Sequence, residues 1–173
     1  MNAPRVSIAL CLALLAWVGS ARALLDPGTE APAFRLSQVD GPDFELPRGP
    51  QKTLLLLAFV SVACQPCEDA SPVLSELAER YVANGTLRIA CVALCPEGAA
   101  RWLLKSGKHP SSVPILVEKI QKSRFVTADA YGVSTTPAFV LVDRFGRVAW
   151  RHEGPVTPEA VDRAVKAALV ARP

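Results

Sequence analysis

Residues 54–77 read LLLLAFVSVACQPCEDASPVLSEL, an apolar run that leads into two cysteines and then into a helical pattern. The run 54–60 is continuously hydrophobic and short, which predicts a strand buried on both faces of a parallel sheet. After Cys67 the apolar residues recur at spacings of three and four, and two acidic residues occupy the first turn, where the helix dipole favours them. The stretch therefore predicts a central strand followed by a helix that begins at Cys64 and Cys67.

These two cysteines are the predicted catalytic pair. The thiolate is the nucleophile in thiol chemistry, and a C-x-x-C at a helix N-terminus lowers the thiol pKa from roughly 8.5. We assign Cys64 as the attacking thiol and Cys67, one turn along, as the resolving thiol within disulfide reach. Pro66 suits the first turn because its missing N–H would be unpaired there. The pattern favours a redox-active disulfide.

A structural disulfide or half of a zinc site would also use a C-x-x-C. Zinc requires a second Cys or His pair at ligand spacing, and the two histidines of the chain, His109 and His152, are isolated from one another. We therefore expect no metal site and no cofactor.

The N-terminal residues 1–23 have the pattern of a cleavable secretory signal. Arg5 precedes an apolar stretch of about 13 residues that leads to the small-residue segment Ala21-Arg22-Ala23. This stretch is shorter than the roughly 20 residues that span a bilayer, so an anchor formed by an uncleaved N-terminus is the less favoured alternative. We predict cleavage after Ala23, a single domain over residues 24–173, export to the periplasm, and no stable membrane span after cleavage.

The charge of the chain is nearly balanced. The full sequence has a net charge of +3, and loss of two arginines with residues 1–23 leaves +1. Nothing in this balance favours a nucleic-acid partner. Four cysteines remain beyond Ala23 in an exported chain, where disulfides persist, and a core of this size does not depend on them. At least one pair is therefore expected to serve chemistry.

The remaining pattern predicts an α/β domain. A short hairpin is predicted at 34–37 and 44–46. The strand 54–60 and the next apolar run are expected to be parallel neighbours, because a strand, helix, strand order implies a right-handed crossover. Further strands are predicted at 87–94, 113–117, 138–142 and 147–152, and helices at 67–82, 96–107, 119–131 and from Thr157 onward.

Several motifs stand in a fixed order along the chain. They are Gly28-Thr29-x-Ala31-Pro32-x-Phe34-x-Leu36, Phe59 with Cys64-Gln65-Pro66-Cys67, Tyr131-Gly132-Val133 with Thr135-Thr136-Pro137, and Val142-Asp143-Arg144-Phe145-Gly146-Arg147-Val148. Together they resemble the thioredoxin-like fold and, within it, the exported thiol-disulfide oxidoreductases of the TlpA and ResA type. The resemblance implies a three-layer α/β sandwich, with a mixed central sheet, helices on both faces and an N-terminal β extension.

The resemblance also implies a substrate site. Pro137 would be a cis-proline that faces the dithiol, and Thr136 and Pro137 would help to seat an extended substrate strand. From the residues alone a trans bond is the ordinary expectation, because only about 5–6% of X–Pro bonds are cis. The implied partners are a protein thiol or disulfide substrate and a redox partner protein.

The chain departs from the family pattern in two places. Val60 and Val62 precede the first cysteine where a Trp is common, and Ala70 stands where haem-maturation reductases carry a Glu. The second departure argues against a role in cytochrome c maturation. The segment from Phe59 to Cys67 is loosely similar to the MauD-type accessory proteins of methylamine dehydrogenase maturation.

Disulfide exchange with a protein partner is the leading function. One alternative is a peroxiredoxin-like thiol peroxidase, although no Pro-x-x-x-Thr-x-x-Cys arrangement precedes Cys64. The other is a non-catalytic thioredoxin-fold accessory or chaperone protein.

Cys91 and Cys95 are not required by the family pattern. Cys91 lies in mid-strand and is predicted to be a small buried hydrophobe. Cys95 precedes Pro96 and is predicted at a helix N-cap beside the dithiol, where the helix would lower its pKa. Our hypothesis is that Cys95 is a third, accessory thiol. Four extended residues span about 13 Å, beyond the roughly 7 Å limit for bridging, so a disulfide between the two cysteines would need the chain to curl.

Overall fold

The computed structural model describes residues 25–107 and 109–172, so the predicted signal segment lies outside the described residues. The strands are β1 Phe34–Leu36, β2 Phe44–Leu46, β3 Leu54–Val60, β4 Leu87–Ala93, β5 Ile115–Val117, β6 Ile120–Gln121, β7 Arg124–Phe125, β8 Ala138–Val142 and β9 Val148–Glu153. The helices are α1 Gln65–Glu68, α2 Ala70–Leu77, α3 Glu97–Lys105, α4 Val126–Ala130 and α5 Pro158–Val170, and a π-helical segment, Ala78–Val82, continues α2. Within these described ranges, no helix combines the length and apolar character needed to cross a membrane.

The central sheet has the strand order β5-β4-β3-β8-β9. β3 pairs in parallel with β4 and antiparallel with β8, so the sheet is mixed. Every residue of β3 is buried, as predicted for a strand covered on both faces. The expected parallel neighbours are confirmed, and β8 pairs antiparallel with β9.

Alternate residues of β3 point into two separate cores. Leu54, Leu56 and Ala58 pack with α2, α5 and part of α3. Leu55 and Phe59 pack on the other face with the β1–β2 hairpin, with α4 and with the loop that follows it. Helices therefore cover both faces and a β extension closes one of them, which confirms the expected three-layer sandwich.

The helix that follows the dithiol is interrupted, whereas the sequence predicted one helix over 67–82. α1 begins at Gln65, immediately after its N-cap residue Cys64, and ends at Glu68. Pro72 has no N–H to donate to the Glu68 carbonyl four residues earlier, so the α-helical hydrogen-bond ladder breaks there. The interruption leaves Cys67 on a short separate helix after β3, and Cys64 is the residue that caps this helix.

The predicted helix over 119–131 is wrong. β6 and β7 form an antiparallel hairpin, and its two turn residues, Lys122 and Ser123, both have positive φ angles of 48° and 61°. Positive φ at both central residues is the geometry of a tight hairpin turn, which interrupts a helix. Only the short α4 remains helical, and Ile120 on the hairpin is exposed.

Candidate active site

β3 places the two cysteines at one edge of the sheet. The strand ends at Val60, a three-residue loop follows, and Cys64 caps α1 with extended backbone angles. The Cys67 N–H donates to the Cys64 carbonyl oxygen at 3.0 Å, and the two side chains form a disulfide with their Cα atoms 5.2 Å apart. Cys64 is half-buried and Cys67 is 8% exposed, so Cys67 is the more buried of the pair, which suits its assigned role as the resolving thiol.

The Thr136-Pro137 peptide lies against this dithiol. β3 and β8 pair antiparallel with Phe59 opposite Ala138, so the residues just before β8 reach the same edge of the sheet as the loop after β3. The Thr136-Pro137 bond is cis, and the Thr136 carbonyl oxygen is 3.4 Å from the Cys64 sulfur. The cis bond and its contact with Cys64 are both confirmed. Thr136 is half-buried and Pro137 is buried.

A small cavity of about 30 Å³ adjoins the two cysteines. It is bounded by the dithiol, by Val62 in the preceding loop, by Cys91 on β4, and by Trp102 on α3. Trp102 is 58% exposed and Val62 is 38% exposed, so apolar surface surrounds the entrance to the dithiol. Its position beside an accessible sulfur makes this surface available to a partner.

His109 also lines this cavity, and sequence reasoning missed it. Its ring is 8% exposed, and Nε2 lies 2.7 Å from the carbonyl oxygen of Val113. Burial lowers the pKa of His109, which favours the neutral ring at neutral pH. No sequence spacing links an isolated histidine to cysteines on other elements, so only the fold could bring them together.

Cys91 and Cys95 are both free and buried, and the predicted role of Cys91 as a buried hydrophobe is confirmed. Burial raises the pKa of Cys91 to about 12. Burial also raises the pKa of Cys95, against a weaker opposing effect of a hydrogen bond from the Val62 backbone. The lowered pKa predicted for Cys95 is therefore wrong. The N-cap of α3 is Pro96, so Cys95 lies one residue outside the helix end and is enclosed by apolar side chains.

The described ranges contain no group of three or more His, Cys, Asp or Glu side chains arranged to hold a metal ion. The reactive groups at this site are two vicinal sulfurs. One is reachable from solvent, the other is enclosed, and a backbone carbonyl and an imidazole lie close by.

Comparisons with known proteins agree with this geometry. Residues 26–169 match the Redoxin family. The thiol-disulfide oxidoreductase ResA of Halalkalibacterium halodurans is 27% identical over 157 residues, which cover 91% of this chain and 85% of that protein.

Two solved structures are similar to this fold. The first, from Chlorobium tepidum, was described as a candidate thiol:disulfide interchange protein DsbE. It aligns with a TM-score of 0.71 and 26% identity, covering 84% of this chain and 99% of its own. StoA of Bacillus subtilis has a TM-score of 0.62 and 19% identity, covering 78% of this chain and 96% of its own, and shows a likeness of fold.

Proposed function

This chain belongs to the Redoxin family and is a thiol-disulfide oxidoreductase of the TlpA/ResA type, and from that premise we propose that it exchanges disulfides with a protein partner through Cys64 and Cys67. The observation that carries the proposal is the pairing of a half-exposed sulfur with an enclosed one at the start of a helix. Such a pair separates attack by one thiol from release by the other.

In this proposal the two cysteines have different roles. The Cys64 thiolate attacks a disulfide of the partner, a bond forms between Cys64 and one partner sulfur, and the other partner sulfur leaves as a thiolate. Cys67 then loses its proton and attacks the Cys64 sulfur. The Cys64–Cys67 disulfide forms, and the second partner sulfur leaves. Run in reverse, the same steps transfer the disulfide to a reduced partner.

We assign substrate contact to Thr136 and Pro137. The Thr136 carbonyl oxygen lies beside the Cys64 sulfur, and the Pro137 carbonyl oxygen accepts a hydrogen bond of 2.8 Å from the Gly154 N–H. That hydrogen bond holds the loop against β9. A partner strand whose cysteine reaches Cys64 must therefore pass over these two residues.

A protein partner suits the surroundings of the dithiol. Trp102 and Val62 expose apolar side chains next to the reactive sulfur. Exposed aromatic residues are enriched where proteins bind one another, because they bury a large area at a small cost in side-chain entropy. The redox partner protein would use the same entrance, since both reactions require access to Cys64.

The proposal includes export. Residues 1–23 have the charged, apolar and small-residue regions of a secretory signal, and the Redoxin match begins at residue 26, just beyond them. The mature chain would then be a periplasmic domain of residues 24–173. Mass measurement of the protein recovered from a bacterial periplasm tests this, and the expected N-terminal residue is Leu24.

Trapping of mixed disulfides tests the proposed function. In a Cys67→Ser variant, partner proteins should remain attached to Cys64, as adducts that a reductant removes. A Cys64→Ser variant should form none and should lose transfer activity. Full activity of Cys64→Ser would contradict the proposal in favour of a non-catalytic accessory protein. Rapid peroxide consumption by the wild-type protein would instead favour the peroxidase alternative.

A further inference from the structure

The proposed exchange requires a proton to move inside the protein. Cys67 must lose its proton before it attacks the Cys64 sulfur, and its enclosure disfavours the free thiolate. The proton therefore needs an acceptor near Cys67. Four titratable groups besides Cys67 border the cavity and belong to the elements packed around it, namely Cys64, Glu68, Cys91 and His109.

Three of these groups are poor acceptors. Cys64 is itself held in the mixed disulfide at that stage. Burial raises the pKa of Cys91 to about 12, so Cys91 keeps its own proton at neutral pH. Glu68 lies at the exposed end of α1 and is open to solvent, so it is not enclosed with the buried Cys67 sulfur. His109 is the group that remains.

The environment of His109 leaves one ring nitrogen able to accept a proton. The Val113 carbonyl oxygen can only accept a hydrogen bond, so Nε2 of the neutral ring carries the proton and Nδ1 keeps its lone pair. Burial lowers the pKa of His109 and so keeps the ring neutral at neutral pH; because it also disfavours a lasting imidazolium, the ring holds the proton only briefly before passing it on. The contact with Val113 also fixes the ring in place beside the cavity.

The cavity can carry the proton between the two residues. It is bordered by both Cys67 and His109 and encloses about 30 Å³. A water molecule needs roughly 10–15 Å³ measured in this way, so the cavity has room for one water. The side chains of Trp102 and Glu68 at its border are exposed, so solvent is close enough to take the proton onward.

We propose that His109 takes the proton from Cys67 through a water molecule in this cavity and thereby speeds the resolving step. The inference rests on the roles proposed above for Cys64 and Cys67. As the proton leaves Cys67, the thiolate attacks the Cys64 sulfur, the Cys64–Cys67 bond forms, and the bond from Cys64 to the partner breaks. The departing partner thiolate carries the electron pair, and the imidazolium passes its proton to solvent. No outside oxidant is needed.

Reaction of the reduced protein with an aromatic disulfide, dithiobis(2-nitrobenzoate), separates the two steps. Attack by Cys64 releases one thionitrobenzoate in a first phase. Attack by Cys67 on the mixed disulfide releases the second in a later phase. The first phase should be missing in Cys64→Ser and the second in Cys67→Ser. If the two phases do not depend on Cys64 and Cys67 in this way, the proposed function fails, whatever the effect of changing His109.

The test of His109 is the variant His109→Gln, which keeps a donor for the Val113 carbonyl oxygen and removes the titratable nitrogen. We expect its second phase to be at least about tenfold slower near pH 7 and its first phase to be unchanged, in keeping with general-base catalysis. The deficit should shrink as the pH rises and Cys67 ionises without help. A purely structural role for His109 would not produce this pH dependence.

His152→Gln is the matched control. His152 likewise places Nε2 2.8 Å from a backbone carbonyl oxygen, that of Pro155, but it does not line the cavity. Its second phase should equal that of wild type. A His109→Gln second phase within about twofold of wild type across the pH range, with both phases correctly assigned, would overturn the inference and leave the proposed function intact.

An NMR titration of the wild-type protein gives a test that does not depend on the folding of a variant. A histidine that exchanges a proton with Cys67 should titrate at different pH in the disulfide and dithiol forms, because the cysteine proton is present in only one of them. His152→Gln identifies which of the two resonances belongs to His109. Equal titration of His109 in both forms would also overturn the inference.

Discussion

Cys64 and Thr136 are 72 positions apart in the chain, and the Cys64 sulfur lies 3.4 Å from the Thr136 carbonyl oxygen. The antiparallel pairing of β3 with β8 produces this contact, because the start of β8 and the end of β3 meet at one edge of the sheet. The carbonyl oxygen lies against the sulfur, and the cavity lined by Val62 and Trp102 adjoins the same cysteine. A partner therefore has a restricted approach to Cys64.

The two cysteines should differ in reactivity. In the reduced protein at mildly acidic pH, we expect iodoacetamide to modify Cys64 well before Cys67, because Cys64 is the more exposed sulfur and caps a helix. Mass spectrometry of peptides measures the order of labelling. Cys91 and Cys95 serve as internal controls, since both are buried and should react only after denaturation. Earlier labelling of Cys67 would reverse the assigned roles.

Trp102 should contribute to recognition of a protein partner. We expect Trp102→Ala to raise KM about fivefold or more when the reduced protein acts on insulin, because Trp is enriched among the interface residues whose truncation costs more than about 1 kcal/mol of binding. Its rate with a small aromatic disulfide should stay unchanged. Ile120→Ala is the control, since Ile120 is exposed to a similar extent, 52% against 58%, and lies on the β6–β7 hairpin. Equal effects of both variants would contradict a specific docking role.

The hypothesis of an accessory thiol at Cys95 has a direct test. Because burial raises the pKa of Cys95, its thiol should stay protonated at neutral pH, and we expect Cys95→Ser to leave turnover within about twofold of wild type. Single-turnover rates at neutral and at alkaline pH measure the effect. A loss of tenfold or more at neutral pH, without a loss of stability, would show that Cys95 takes part in exchange.

Asp162 makes the fold sensitive to acid. Its carboxylate accepts hydrogen bonds from Lys166 and Arg80 at 2.7 Å and from the Tyr81 hydroxyl at 2.5 Å, which hold its pKa well below the usual range. The resulting stability is complete above the unfolded-state pKa of about 4 and is lost as the pH falls toward the folded-state pKa. We expect Asp162→Asn to lower the free energy of unfolding by about 1–3 kcal/mol at neutral pH, and by less below pH 4.

Urea denaturation over a range of pH measures this difference. Asp40→Asn is a suitable control, since Asp40 is an exposed carboxylate and its substitution should change stability little. An Asp162→Asn deficit that stays constant down to pH 2 would show that the carboxylate charge is not the cause.

Glu118 should stabilise the segment that follows β5. Its carboxylate is 4% exposed and accepts hydrogen bonds from the N–H groups of Thr127 at 3.1 Å and Ala128 at 2.9 Å, at the first turn of α4. Removing it leaves buried donors without an acceptor, so we expect Glu118→Ala to cost roughly 1–3 kcal/mol in urea denaturation. Glu118→Gln, which keeps one acceptor oxygen, should cost less. Glu45→Ala, on the exposed face of β2, is the control, and an equal loss there would refute the capping role.

The central part of the fold could be predicted because its signals are local. Three features can each be recognised from about ten consecutive residues. They are the continuous apolar run of β3, the two cysteines at the start of the following helix, and the apolar strand after Pro137. The start of α5 was also predictable from a local signal, since the Thr157 side chain accepts a hydrogen bond from the Ala160 N–H within one turn.

The predicted helix over 119–131 failed because a distant contact decides that segment. Apolar residues recur through the segment at Ile120, Phe125 and Ala128, but the Glu118 carboxylate caps a helix that begins only at Val126. The residues before it turn back as a hairpin through two left-handed residues, Lys122 and Ser123. Neither is the Asn or Gly that marks such turns in sequence, so no local signal was present.

The sequence by itself determined the paired sulfurs, the strand and helix that carry them, and the class of chemistry, because each follows from residue types a few positions apart. Only the tertiary structure decided what surrounds the pair. Cys91, Trp102 and His109 reach the cavity from separate elements, and Thr136 arrives across an antiparallel pairing. Sheet pairing and the packing of helices on the sheet set these positions, and no periodicity within one segment encodes a contact between segments.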